Sequence, residues 1–168
     1  MPLLSFRNED ARIVALAVTY HLGRPGSETD PATLQRHDLG LAPVGRALDP
    51  QLERAEVQLE LSPYQLHRLD EALLGVVNEL KQYDMSHRHS AVPGFETAIR
   101  LLFPELTPEH EDAEEVPGPL DLVTRVVMLR RRLEAAVRQA NANVEAQRET
   151  ATEAQQRLKR RWWKPWQR

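Results

Sequence analysis

Hydrophobic residues recur every three or four positions along most of this chain, which is the period of amphipathic α-helices. The clearest stripe follows Ser62-Pro63-Tyr64-Gln65, a capping-box sequence with proline at the first helical position. The stripe consists of Leu66, Leu69, Leu73, Val76, Val77, Leu80 and Tyr83. It predicts the central core helix, with His67 and Glu71 on the polar side.

Two further stripes predict helices on either side of it. The first begins near Asn8, which is suited to cap a helix, and ends at Gly23; His21 near its end is expected at the surface. The second is short, is closed by Pro104 and is expected to pack against Leu73 and Leu80 of the core helix. Its apolar positions are Phe95, Ala98, Ile99, Leu102 and Phe103.

Residues 55–61 break this pattern, because apolar and polar side chains alternate there with the period of a half-buried strand. A strand needs a partner for its backbone, and residues 41–48 or another subunit are the candidates. The alternative is that Asp49-Pro50 starts a helix that absorbs the segment. The predicted fold class is mainly α: a small helical bundle with a long C-terminal helix and one short β-hairpin or lone strand.

A long helix is predicted over residues 120–162, where neither glycine nor proline occurs. Its first half has a core stripe of Leu122, Val126, Leu129, Leu133 and Val137. Beyond it the stripe thins, so the second half is expected to project. Val137, Val144, Ala151 and Leu158 keep a seven-residue spacing, which suits a helix-helix contact through small residues; a solvated helix is the alternative.

The chain therefore divides into three regions. Residues 1–104 form a helical body with an irregular Gly/Pro-rich loop at 23–51, and residues 105–119 form an acidic, proline-containing linker. Residues 120–168 form the long helix and end in a tail. This tail, residues 158–168, has all three tryptophans and no acidic residue. Its candidate partner-binding residues are Lys159, Arg160, Arg161, Trp162, Trp163, Lys164, Trp166 and Arg168.

Four destinations for the tail are open: a groove on its own body, a protein partner or second copy, an anionic membrane surface, and nucleic acid. Within the linker, an acidic segment offers a counter-surface for a second copy. Its residues are Glu109, Glu111, Asp112, Glu114 and Glu115. The net charge of −3 argues against a general polyanion binder, so a protein partner or self-assembly is favoured.

The composition limits the chemistry. Cysteine is absent, which excludes disulfides, thiolate metal sites and a cysteine nucleophile. No signal peptide or membrane span is apparent, so a cytoplasmic protein is expected. Asp84, His87 and His89 form the one candidate metal cluster, but no other ligand is placed beside them and a polar loop is preferred. No cofactor is predicted.

The predicted function is accordingly a non-enzymatic interaction and assembly protein, a scaffold that docks its basic Trp-rich tail. The alternatives are a membrane-surface or nucleic-acid binder that uses the same tail, and a metal-dependent enzyme.

Overall fold

The computed structural model describes residues 3–24, 40–85, 89–106 and 118–163, without the side chains of residues 84, 85, 140, 147 and 151–163. Within these ranges the chain is mainly helical with one small sheet, as the sequence predicts. The elements are β1 (Leu3–Arg7), α1 (Asn8–Gly23), α2 (Ala42–Leu48), a 3-10 turn (Asp49–Gln51), β2 (Glu56–Glu60), α3 (Pro63–Met85), α4 (Phe95–Leu102), a second 3-10 turn (Pro104–Leu106) and α5 (Pro119–Trp163).

The predicted strand is β2, but its predicted partner is wrong. β2 pairs antiparallel with β1, so that Val57 lies opposite Phe6 and Leu59 opposite Leu4. The segment 41–48 instead forms α2, with proline in its first turn and with Val44 and Leu48 buried at helical spacing. The sheet is therefore a pairing between distant parts of the chain, with α1 and α2 between its two strands.

Hydrogen bonds connect the start of α1 to the turn that precedes β2. Asn8 was expected to cap α1, but its side-chain amide donates to the carbonyls of Leu52 and Arg54, and its backbone N–H donates to the carbonyl of Ala55 (3.0 Å). The expectation for His21 is also wrong, because this side chain is buried. α1 is enclosed on several sides, as its wide apolar stripe implies.

α3 begins with the predicted capping box. The hydroxyl of Ser62 accepts from the N–H of Gln65 (3.1 Å), and the side-chain oxygen of Gln65 accepts from the N–H of Ser62 (2.9 Å). The apolar stripe predicted for α3 is buried from Leu66 to Tyr83, whereas His67 and Glu71 form an exposed pair 3.5 Å apart.

α4 packs chiefly on α1, whereas the sequence had placed it against Leu73 and Leu80 of α3. The rings of Phe95 and Tyr20 meet edge to face with centroids 5.9 Å apart. α4 starts at Gly94, whose φ of +79° is a conformation that glycine adopts readily.

α5 starts at Pro119 and extends to Trp163, in agreement with the predicted long helix. The carboxylate of Asp121 accepts from the N–H of Gly118 (2.7 Å), which satisfies a donor that the helix start leaves unpaired. The first part of α5 forms the most extensive helix-helix contact of the fold, against α3. Its buried residues are Leu122, Val126, Leu129 and Leu133, and Val137 is partly buried.

Candidate functional site: a projecting helix and an apolar groove

α5 leaves the body after Val137. Of the side chains described between positions 138 and 150, all are exposed except that of Val144, which is partly buried. The side chains of Gln139 and Thr150 bond within the helix itself, to Asn143 and to the carbonyl of Ala146. Since the helix continues to Trp163, we call residues 138–163 the projecting arm.

The arm is long compared with the body. Its 26 residues at 1.5 Å per residue span about 39 Å, whereas a body of this size has a radius of gyration of about 14 Å. The arm therefore extends the backbone of Trp162 and Trp163 well beyond the last residue that packs on the body.

The structure describes only part of the predicted tail site. Residues from Lys159 to Trp163 are described as helical backbone, and Lys164, Trp166 and Arg168 lie outside the described residues. On the helix, Trp162 and Trp163 are three and four positions after Lys159 and share its face. The backbone positions of these three residues thus lie on one side of the helix at the far end of the arm.

The acidic counter-surface and most of the metal candidates also fall outside the description. Glu109, Glu111, Asp112, Glu114, Glu115 and His87 are not described, nor is the side chain of Asp84. His89 is exposed, with its Nδ1 4.0 Å from a carboxylate oxygen of Glu96. Among the side chains that are described, no group of three or more His, Asp or Glu residues is arranged to hold a metal ion.

Charge is divided between residues 1–137, which are counted here as the body, and residues 138–168, which are the arm and the rest of the tail. Residues 1–137 contain 22 acidic and 14 basic residues, a net charge of −8, whereas residues 138–168 contain 8 basic and 3 acidic residues, a net charge of +5; together they give the −3 of the chain. The two parts of the chain therefore have net charges of opposite sign.

The same complementarity already acts within the chain, where α5 packs on the body. The guanidinium of Arg130 bonds to both carboxylate oxygens of Asp70, at 2.8 and 3.2 Å. That hydrogen bond is the main reason why the pKa of Arg130 is raised, against a smaller opposing effect of burial. Arg132 pairs with Asp10 at 2.6 Å. Arg130 and Arg132, in the packed half of α5, thus meet acids of other helices.

An apolar groove lies between α1, α2 and α4, with a volume of about 480 Å³. Its apolar lining includes Ala15, Val18, Leu22, Ala98, Leu101 and Leu102. Two of these leucines are exposed, Leu22 by 43% and Leu101 by 76%. Arg46 and Asp49 are the charged residues of the lining. A volume of this size falls in the usual range of binding pockets, about 300–1,000 Å³.

Sequence reasoning missed this groove, because one of its walls is α2, which was expected to be a strand or loop. Gly45 lets α2 approach α1 closely, since a Cβ at that position would lie 3.1 Å from a methyl group of Val18. One signal was present in the sequence: Leu101 falls outside the buried stripe of α4 and is nevertheless apolar.

The buried acid Glu79 has a structural role. It accepts a hydrogen bond from the hydroxyl of Ser90 (2.6 Å), and that hydroxyl accepts from the N–H of Val92 (3.1 Å). These bonds hold the segment that leads into α4. Glu79 therefore stabilises one of the helices that line the groove.

No protein-family model matches this sequence, and comparisons with curated proteins and with solved structures find no match. Within the described part of the chain, no helix combines the length and the apolar character needed to cross a bilayer.

Proposed function

We propose that this protein is a helical interaction and assembly protein, in which the projecting arm presents the basic Trp-rich tail to a protein partner or to a second copy. The observation that supports this proposal is the change in α5 at Val137, where a packed helix becomes a solvent-exposed one and continues for about 39 Å. Ordering a solvated helical extension costs conformational entropy, and the extension buries no core surface that would offset this cost. We therefore infer that the extension serves to position the tail.

The tail has the composition of a docking segment. Tryptophan and arginine are enriched among the residues that contribute most of the binding energy at protein interfaces. Each indole buries roughly 150–250 Å² when it is enclosed, and the basic residues orient the segment against acidic groups. All three tryptophans of the chain are in the tail, and the aromatic residues elsewhere are phenylalanine and tyrosine.

The location of the tryptophans also provides the test. Because all three are in the tail, the variant Trp162→Ala/Trp163→Ala/Trp166→Ala is a full-length chain without tryptophan fluorescence; we call it the silent variant. Adding it to dilute wild-type protein should shift the tryptophan emission to shorter wavelength if the wild-type tail docks on a second copy. The corresponding test for a different protein partner is to crosslink the tail in a cell lysate and to identify the proteins that become attached to it.

Salt separates this proposal from a polyanion or membrane-surface binder. Docking through buried rings should persist as ionic strength rises, whereas binding to a phosphate backbone weakens steeply. A shift that occurs only with a single-stranded oligonucleotide or with phosphatidylserine vesicles, and disappears at high salt, would contradict the proposal and favour the alternative.

The acidic segment of the linker is the proposed counter-surface for the basic residues. A silent variant that also has Glu111→Gln, Asp112→Gln, Glu114→Gln and Glu115→Gln should bind the wild-type tail more weakly. If the affinity is unchanged, this segment has no part in the interaction.

A further inference from the structure

We propose that the groove between α1, α2 and α4 is the receptor for the Trp-rich tail of a second copy, so that chains associate head to tail. This inference rests on the proposed function and assigns the tail a specific binding site. It names the occupant of an apolar surface that the described part of the chain leaves exposed.

The groove has the chemistry that an indole requires. Its walls are aliphatic, and Leu101 and Leu22 stand exposed at its edge by 76% and 43%. Exposed leucines that flank an apolar concavity are typical of binding sites, whereas leucines scattered singly over a surface are not. The lining has one acidic and one basic residue, Asp49 and Arg46, so the groove itself has no net charge; Asp49 is the side chain that can orient a cationic segment.

The length of the arm favours an occupant from another chain. α5 is a continuous helix to Trp163, and it holds the end of the arm about 39 Å from Val137. This distance exceeds the diameter of a body whose radius of gyration is about 14 Å. This length favours the groove of a second copy over the groove of the same chain.

Charge selects the body of a second copy over its arm. The body has a net charge of −8, and the arm with its tail has +5. Two tails side by side would repel each other, whereas a tail that approaches a body is attracted. The favoured interface is therefore heterologous, and it leaves one groove and one tail unused at the ends of every open oligomer. Repetition of such a contact produces rings or open chains.

The test is complementation between two full-length variants. The groove variant, Leu22→Gln/Leu101→Gln, keeps the tail, and the silent variant keeps the groove. Each alone should self-associate about tenfold or more weakly than wild type. Their equimolar mixture should form a one-to-one dimer by light scattering, with a shift of the groove variant's tryptophan emission.

A matched control is available elsewhere on the surface. Leu3 and Leu74 are exposed by 63% and 46% and do not line the groove. Leu3→Gln/Leu74→Gln removes the same number of exposed leucines and should assemble like wild type. Leu101→Arg is a second groove variant. Because Leu101 is the most exposed leucine of the groove, this single change leaves the core intact, and the added charge repels the cationic tail.

The outcomes separate this inference from the proposed function. If both groove variants assemble like wild type, or if wild-type protein stays monomeric while another protein captures the tail, the groove assignment is overturned and the docking function stands. If wild-type tryptophan emission responds only to anionic vesicles, both are overturned. If the silent variant assembles like wild type, the tail is not needed for self-association. This result would overturn both the groove assignment and the docking of the tail on a second copy.

Discussion

The ring of Tyr20 lies directly against the backbone of Gly75, so that a Cβ added to Gly75 would be 2.2 Å from the ring carbon Cε1. The same ring meets Phe95 of α4 edge to face, and the guanidinium of Arg24 lies 5.5 Å from its centroid. Tyr20 therefore joins three helices at one point. The groove wall formed by α1 and α4 depends on this packing.

We expect Gly75→Ala to destabilise the fold by up to about 2 kcal/mol, because overpacking costs about 1–3 kcal/mol whereas helix propensity returns roughly 1 kcal/mol. The measurement is urea unfolding followed by circular dichroism. In a Tyr20→Ala background the same substitution should become stabilising, since the clash is gone. Stabilisation in the wild-type background would show that the ring moves aside freely, contrary to this packing.

Ser62→Ala should cost about 0.5–2 kcal/mol of unfolding free energy, because it removes the side-chain acceptor at the start of α3. Thr124→Ala is the control, since the hydroxyl of Thr124 is exposed and bonds only to a carbonyl of its own helix. Its effect should stay within about 0.5 kcal/mol. Equal effects of the two substitutions would mean that the capping box contributes little.

A double-mutant cycle on Asp70 and Arg130 should give a coupling free energy of about 1–2 kcal/mol, because the pair is bidentate and partly buried. The exposed pair Glu134 and Arg138, 3.9 Å apart, should give less than about 0.5 kcal/mol. Since the pKa of Arg130 is raised in the folded state, its stabilising contribution is present at neutral pH and is lost as the pH rises through that raised pKa, in strongly alkaline solution. Equal coupling in the two pairs would contradict this assignment.

Substitutions on either side of Val137 should behave differently. Leu129→Ala, in the packed half of α5, should cost about 2–5 kcal/mol. Ala146→Pro, in the exposed arm, should reduce the helical signal but change the unfolding free energy of the body by less than about 0.5 kcal/mol. Guanidinium unfolding of both variants measures this contrast. A large loss of stability in Ala146→Pro would show that the arm packs on the body.

The candidate site was predictable only in part. The tail is visible from composition, because tryptophan and basic residues are concentrated in eleven positions, and the exposure of the arm is visible where the apolar stripe of α5 thins. The groove was not predictable, since its three walls come from separate parts of the chain. Leu101 alone, as an apolar residue outside a buried stripe, indicated an unfilled surface.

The sequence by itself determined the features that arise within a few residues of each other: the helical periods of α1, α3, α4 and α5, the capping box of Ser62 and Gln65, and the alternation of β2. These follow from backbone geometry and local hydrogen bonds, which need no distant partner. The tertiary structure decided the pairing of β2 with β1, the helical state of residues 42–48, the burial of His21 and the groove. Each of these depends on contacts between segments far apart in the chain, and the same local pattern is compatible with several such partners.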